Sequence, residues 1–217
     1  MVPHVLEAPF SDRTQSLTVL GTALKVLPLE PVVWISLTSP EVTALPEDAP
    51  RFPAVVDTGH ASSLSIKQEH LGKLVDEAAL PILGRPAALV YADGRRASLP
   101  RYQARVWLHG FHPDPTRQPR PLRLPTRDGI ICYRTANRPR EREESGWDWL
   151  WRLLGRAPPA SQTSAAVAPG PHLPLLGARA FRPLGLTVQV DYSKLTLSIA
   201  RPDPQTPGTP GSAIAQD

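Results

Sequence analysis

Phe52-Pro53-Ala54-Val55-Val56-Asp57-Thr58-Gly59-His60-Ala61-Ser62-Ser63-Leu64-Ser65-Ile66 delivers an acid, a hydroxyl and a glycine straight from an apolar run. The residues before Asp57 read as a buried strand. A carboxylate at the end of such a strand is costly to bury without a partner. Gly59 permits a sharp turn that brings backbone amides toward the acid. After the turn, Leu64 and Ile66 alternate with Ser63 and Ser65, which predicts a second strand. The local expectation is strand, acidic turn, strand. Asp, Thr and Gly also favour ordinary turns, so the tripeptide alone is a modest signal.

The chain has 217 residues, enough for one domain with an insertion and tails. Its 27 prolines cluster in 113–125, 158–174 and 202–210, so ordered parts alternate with irregular ones. The net charge is +4 and arginine dominates the basic residues. The Arg-rich run 117–142 lacks a nucleic-acid fold signature and reads as a solvated insertion. Cys132 is the single cysteine, which excludes an internal disulfide and a cysteine-based zinc site. The histidines show no ligand spacing; His109 and His112 stand three apart beside a proline, a weak metal signal. No metal or organic cofactor is expected. No basic-then-apolar leader opens the chain, and no apolar run approaches the ~20 residues of a spanning helix. A cytoplasmic protein without a membrane span is the expectation.

Along the chain, residues 1–16 read as irregular. Segments 17–27 and 32–38 read as strands. Residues 67–80 place Leu71, Leu74, Val75 and Ala78 at helical spacing. Asp93-Gly94, between 87–92 and 95–99, is a hairpin signal. Tyr102, Ala104, Val106 and Leu108 alternate with Gln103, Arg105 and Trp107, as in a half-buried strand. Ile130–Tyr133 reads as a further strand entering from the Asp128-Gly129 turn. In 145–155, Ser145 with Asp148 suits a helix start and Gly155 a stop. That tryptophan-rich helix suits docking on its own domain, on a partner or at a membrane interface, although Glu141, Glu143 and Glu144 before it do not suit anionic lipid. Residues 157–171 read as a linker. A short helix over 178–184, strands 186–191 and 194–200 and a disordered 201–217 follow.

Three segments stand in order: Val55-Val56-Asp57-Thr58-Gly59, Ala92-Asp93-Gly94 in a hairpin, and Leu175-Leu176-Gly177 before a short helix. This arrangement resembles the retropepsin-like aspartic proteases, above all the small bacterial single-domain type. In those, an Asp-Thr-Gly turn leads into a Leu-x-Ile strand, matched by Leu64-Ser65-Ile66. The resemblance covers roughly 30–110 and 172–200. It implies an all-β, mainly antiparallel fold, a closed acid-protease barrel with short helices. The domain would span 17–200, with 111–171 as a Pro/Arg-rich insertion carrying the Trp-rich helix. It further implies Asp57 as the catalytic acid and Thr58 and Gly59 as the shapers of its turn. Tyr91, Ala92, Asp93 and Gly94 would form a substrate-binding flap. Leu175, Leu176 and Gly177 would support the turn from below. His60 departs from the small residue often found there in viral members, and the insertion is longer than usual.

Peptide hydrolysis by this route needs two carboxylates around one water. The chain holds one Asp-Thr-Gly, so the resemblance implies a homodimer with an Asp57 from each copy, acting as an endopeptidase on an extended peptide. A catalytically inactive retropepsin-fold module that dimerises or binds peptide is the alternative. A third reading, an Arg-rich nucleic-acid-associated protein with a structural Asp-Thr-Gly turn, has less behind it.

Overall fold

A computed structural model of the chain describes residues 4–90, 96–110, 120–134 and 170–202. The strands in chain order are β1 (His4–Pro9), β2 (Gln15–Val19), β3 (Thr22–Val26), β4 (Val32–Thr38), β5 (Phe52–Asp57) and β6 (Leu64–Lys67). Helix α1 (Gln68–Leu74) follows, then β7 (Ala87–Val90), β8 (Arg96–Leu99), β9 (Arg101–Tyr102) and β10 (Arg105–His109). The remaining strands are β11 (Leu122–Leu124), β12 (Ile130–Tyr133), β13 (Leu175–Gly177), β14 (Thr187–Asp191) and β15 (Thr196–Ala200). The protein is mainly β.

The main sheet runs β11-β10-β4-β5-β13-β6-β12-β9. Its ends, β11 and β9, do not pair with each other, so among the described residues it is an open mixed sheet rather than a closed barrel. β13 runs parallel to β5 and β12 parallel to β6; the other ladders are antiparallel. β5 is central and buried on both faces, which explains its unbroken apolar run. Pro53 fits there for a specific reason. The Val56 N–H donates to Pro31 O on one side, and the Val55 N–H to Pro174 O on the other. By alternation, position 53 faces the side on which β13 pairing begins only at Val55. The missing proline N–H therefore costs no ladder bond.

β1, β15 and β14 form a second sheet, with β15 in the middle. Leu6 and Ala8 from β1 and Leu197 and Ile199 from β15 join the same buried cluster as Phe52, Ile66 and Leu176. The described part of the expected irregular lead-in, residues 4–16, instead holds β1, a full strand on β15, and the start of β2 at Gln15. The six residues of β1 gave no periodic signal, and its pairing partner β15 lies near the other end of the chain.

Other expectations change in detail. Segment 17–27 lies within a hairpin, because Leu20 and Gly21 both take positive φ (48° and 73°), the conformation of a two-residue turn. The expected helix over 67–80 stops at Leu74. Val75 is extended, and the Asp76 side chain accepts from the Ala78 N–H at 3.0 Å to start a 3-10 turn at Glu77–Ala79. The expected strand over 102–108 divides into β9 and β10, which occupy distant places in the sheet. Trp107 is buried, with its indole N–H donating to Thr38 Oγ1 at 3.0 Å. The 178–184 helix is a pair of 3-10 turns, Ala178–Ala180 and Arg182–Leu184.

The boundary of the insertion also moves. β11 pairs with β10, and β12 lies between β6 and β9, with Ile130 and Cys132 fully buried. Residues 120–134 therefore belong to the sheet and not to a separable 111–171 insertion. The Trp-rich segment 145–155 lies outside the described residues. Among the described residues no helix is long and apolar enough to cross a membrane.

Candidate functional site

The acidic turn sits where three strands meet. β5 ends at Asp57, and the chain turns through Thr58-Gly59-His60 before entering β6 at Leu64. The Gly59 N–H donates to Asp57 Oδ1 at 2.9 Å, and the His60 N–H donates to the Asp57 carbonyl oxygen at 3.1 Å. One carboxylate oxygen is thus held by the turn it initiates, which fixes the rotamer of the acid. Asp57 is half-buried; Thr58 and Gly59 are exposed.

β13 inserts between β5 and β6. Leu175, Leu176 and Gly177 pair with Val55, Val56 and Asp57 on one side. Leu175 and Leu176 pair with Ser65 and Leu64 on the other. Gly177 has extended backbone (φ −90°), so conformational freedom is not what position 177 requires. Space is. A Cβ there would lie 2.1 Å from the Ser62 carbonyl oxygen and 2.6 Å from that of His60. The Gly177 N–H donates to Ser63 O at 3.1 Å. The 60–63 loop is therefore pressed onto the end of β13, directly beside the acid.

His60, flagged by its departure from the family pattern, has a definite role in this packing. Its Nε2 lies 2.8 Å from Ser65 Oγ, and Ser65 is fully buried. Burial pushes the His60 pKa down, and the Asp57 charge opposes that shift. The imidazole thus braces the loop from β6. Ser65 was legible only as a polar position in an alternating strand; nothing in its spacing announced the contact.

Of the residues named from sequence, Asp57, Thr58, Gly59, Leu175, Leu176 and Gly177 come together. Tyr91, Ala92, Asp93 and Gly94 lie outside the described residues. The arms that lead to them are paired, with Ala87 opposite Leu99 and Ala88 opposite Ser98. Beside Thr58 opens a pocket of about 510 Å³ lined by Arg179, Phe181, Arg182, Leu186 and Val188. Arg179 Nη1 donates to Asp128 Oδ2 at 3.1 Å across the rim of this region. No sequence signal pointed to these arginines beyond their position just after Gly177. No three His, Cys, Asp or Glu side chains converge to hold a metal ion among the described residues.

The chain matches no protein-family model, no curated protein and no solved structure.

Proposed function

We propose that the chain is a retropepsin-like aspartic endopeptidase, active as a homodimer in which Asp57 of each copy faces the other across one water. The observation that carries this reading is the register of β13: the Leu-Leu-Gly segment and the Asp-Thr-Gly turn, far apart in sequence, are neighbours, with Gly177 opposite Asp57. Two further features support it. The acid leaves a buried strand and is held by a turn amide, so its position is fixed before substrate arrives. Thr58, next to it, is exposed and free to meet a second copy.

In this mechanism one carboxylate takes a proton from the water, which attacks the scissile carbonyl, while the other supplies a proton to the developing oxyanion. Two close carboxylates share one proton, so the dyad titrates as a pair. By the same resemblance, Tyr91, Ala92, Asp93 and Gly94 would be the flap that covers an extended peptide and excludes solvent. Activity is higher at mildly acidic than at alkaline pH, since the shared proton is needed.

The test is cleavage of a diverse peptide mixture by wild type and Asp57→Asn, over a range of protein concentrations at pH 5 to 7. Cleavage by wild type alone, with specific activity that rises with protein concentration, is the expected result. A folded, dimeric wild type that cleaves nothing refutes the enzyme and leaves the peptide-binding module. Removing 111–171 is not a usable control, because it deletes β11 and β12.

A further inference from the structure

The chain uses arginine for nearly all its positive charge and has only four lysines, at 25, 67, 73 and 194. Three of them, Lys25, Lys67 and Lys73, line one pocket of about 300 Å³. Separate parts of the fold supply them: Lys25 comes from β3, Lys67 from the end of β6, and Lys73 from α1. Thr22, His70 and His172 complete the polar lining, with Glu69 as its one carboxylate. Three lysines against one glutamate leave an excess of two positive charges among those four side chains of the lining. Gathering like charges in one concavity raises the energy of the folded chain.

The geometry of the cluster is organised. Lys73 Nζ donates to Thr22 Oγ1, which ties the β2–β3 hairpin to α1. Lys67 Nζ lies 3.5 Å from Glu69 Oε1. His172 Nε2 is 3.0 Å from Glu30 Oε2 at the outer edge. His70 is 4% exposed and packs at a tilt against Phe52, with its Nε2 3.7 Å from Glu69 Oε1 and its Nδ1 buried without a hydrogen-bond partner among the described residues. An unpaired buried ring nitrogen is a recurring cost in a fold unless something uses it.

We propose that this pocket binds phosphate, free or as the monoester of a small molecule. Lysine ammonium groups act as point charges on the staggered oxygens of a tetrahedral anion, whereas a planar carboxylate is better matched by the arginine fork that this pocket lacks. The lysines repel a metal cation. The pocket's size suits a phosphate with a short substituent and not a polymer. Its place is also separate from the acidic turn. β6 starts beside β13 near Asp57 and ends at Lys67, so the two sites lie at opposite ends of one strand. The proposal does not depend on the protease reading.

The test titrates the full chain with inorganic phosphate, and in parallel with glycerol 3-phosphate, at constant ionic strength against chloride. Binding is read by calorimetry and by the shift in melting temperature. Saturable binding with Kd below ~1 mM is expected for at least one probe. Lys25→Gln/Lys67→Gln should weaken it by about tenfold or more, the loss of charge-assisted hydrogen bonds. Lys194→Gln, on the β14–β15 turn, should leave it unchanged. Tighter binding of the monoester identifies an organic phosphate as the occupant; equal binding identifies the free ion. Absence of saturable binding by wild type at 10 mM (roughly ten times the expected limit) overturns the proposal. So does equal binding by the exposed single variant Lys25→Gln and the double variant to that of wild type.

Discussion

Replacing Gly177 by alanine tests the packing that holds the acid in place. The added Cβ would sit 2.1 Å from Ser62 O and 2.6 Å from His60 O. Both obstacles are backbone, so no side-chain rotation relieves them. To reach an ordinary contact of 3.4 Å, the 60–63 loop and β13 must separate by about 1.3 Å, the difference from 2.1 Å. That movement breaks the bond from the Gly177 N–H to Ser63 O, now 3.1 Å. Overpacking of this kind costs about 1–3 kcal/mol and the lost bond about 1 kcal/mol. The sum, roughly 2–4 kcal/mol, lowers the melting temperature by roughly 5–15 °C in a chain of this size. Thermal and urea unfolding of wild type and Gly177→Ala measure it directly. If the reading of the site holds, peptide cleavage falls further than the unfolded fraction explains, because the loop that moves continues directly from the turn whose Gly59 and His60 amides bond to Asp57. A Gly177→Ala protein that melts within ~1 °C of wild type refutes the close-approach argument.

Gly72→Ala is the opposite case: a Cβ there meets nothing within 4 Å and the residue lies in α1, so stability should rise by about 0.5–1 kcal/mol, read as a higher urea midpoint. His109 is 6% exposed, and burial, reinforced by Arg51, brings its pKa down from the ordinary 6.5 to about 4. Well above pH 6.5 it is neutral in folded and unfolded chains alike and contributes no pH dependence. Below that, the unfolded chain takes up a proton that the folded chain refuses. Stability is therefore lost as pH falls toward 4, by at most about 1.4 kcal/mol per pH unit, and urea titrations of His109→Gln should show a flatter dependence. An unchanged slope in the variant removes His109 from the account. Burial also pushes the Cys132 thiol up to about 12, so iodoacetamide at pH 8 should leave the native protein unlabelled by mass spectrometry and label it fully in urea. Rapid labelling of the native protein would contradict the buried placement of β12.

The Ser36–His109 pair shows how a role is fixed only by neighbours. Ser36 Oγ donates its single proton to Pro50 O at 2.6 Å, so the His109 Nε2 at 2.8 Å must be the donor in the second bond. That assigns the tautomer and agrees with a ring kept neutral by burial. Sequence placed His109 at the end of a strand and beside His112 as a weak metal signal; it could not show a serine from β4 across the ladder. The same holds for Tyr102, whose hydroxyl donates to Glu77 Oε1 and whose pKa burial pushes up to about 12.

By itself the sequence determined the features whose causes are local. The apolar run of β5, the Asp-Thr-Gly turn, the alternation of β6 and the strands of the 87–99 hairpin each depend on residues within a few positions of one another, where period and turn chemistry act. It also supplied the three segments whose order suggested a family. Tertiary structure decided what lies between them. That β13 enters the gap between β5 and β6, that β1 closes on β15, that 120–134 belongs to the sheet, and that three lysines share a pocket all depend on pairings between distant segments. An apolar strand carries no mark of which edge it will join. The choice is made by which backbone groups and which apolar faces remain unpaired once the neighbouring strands are in place.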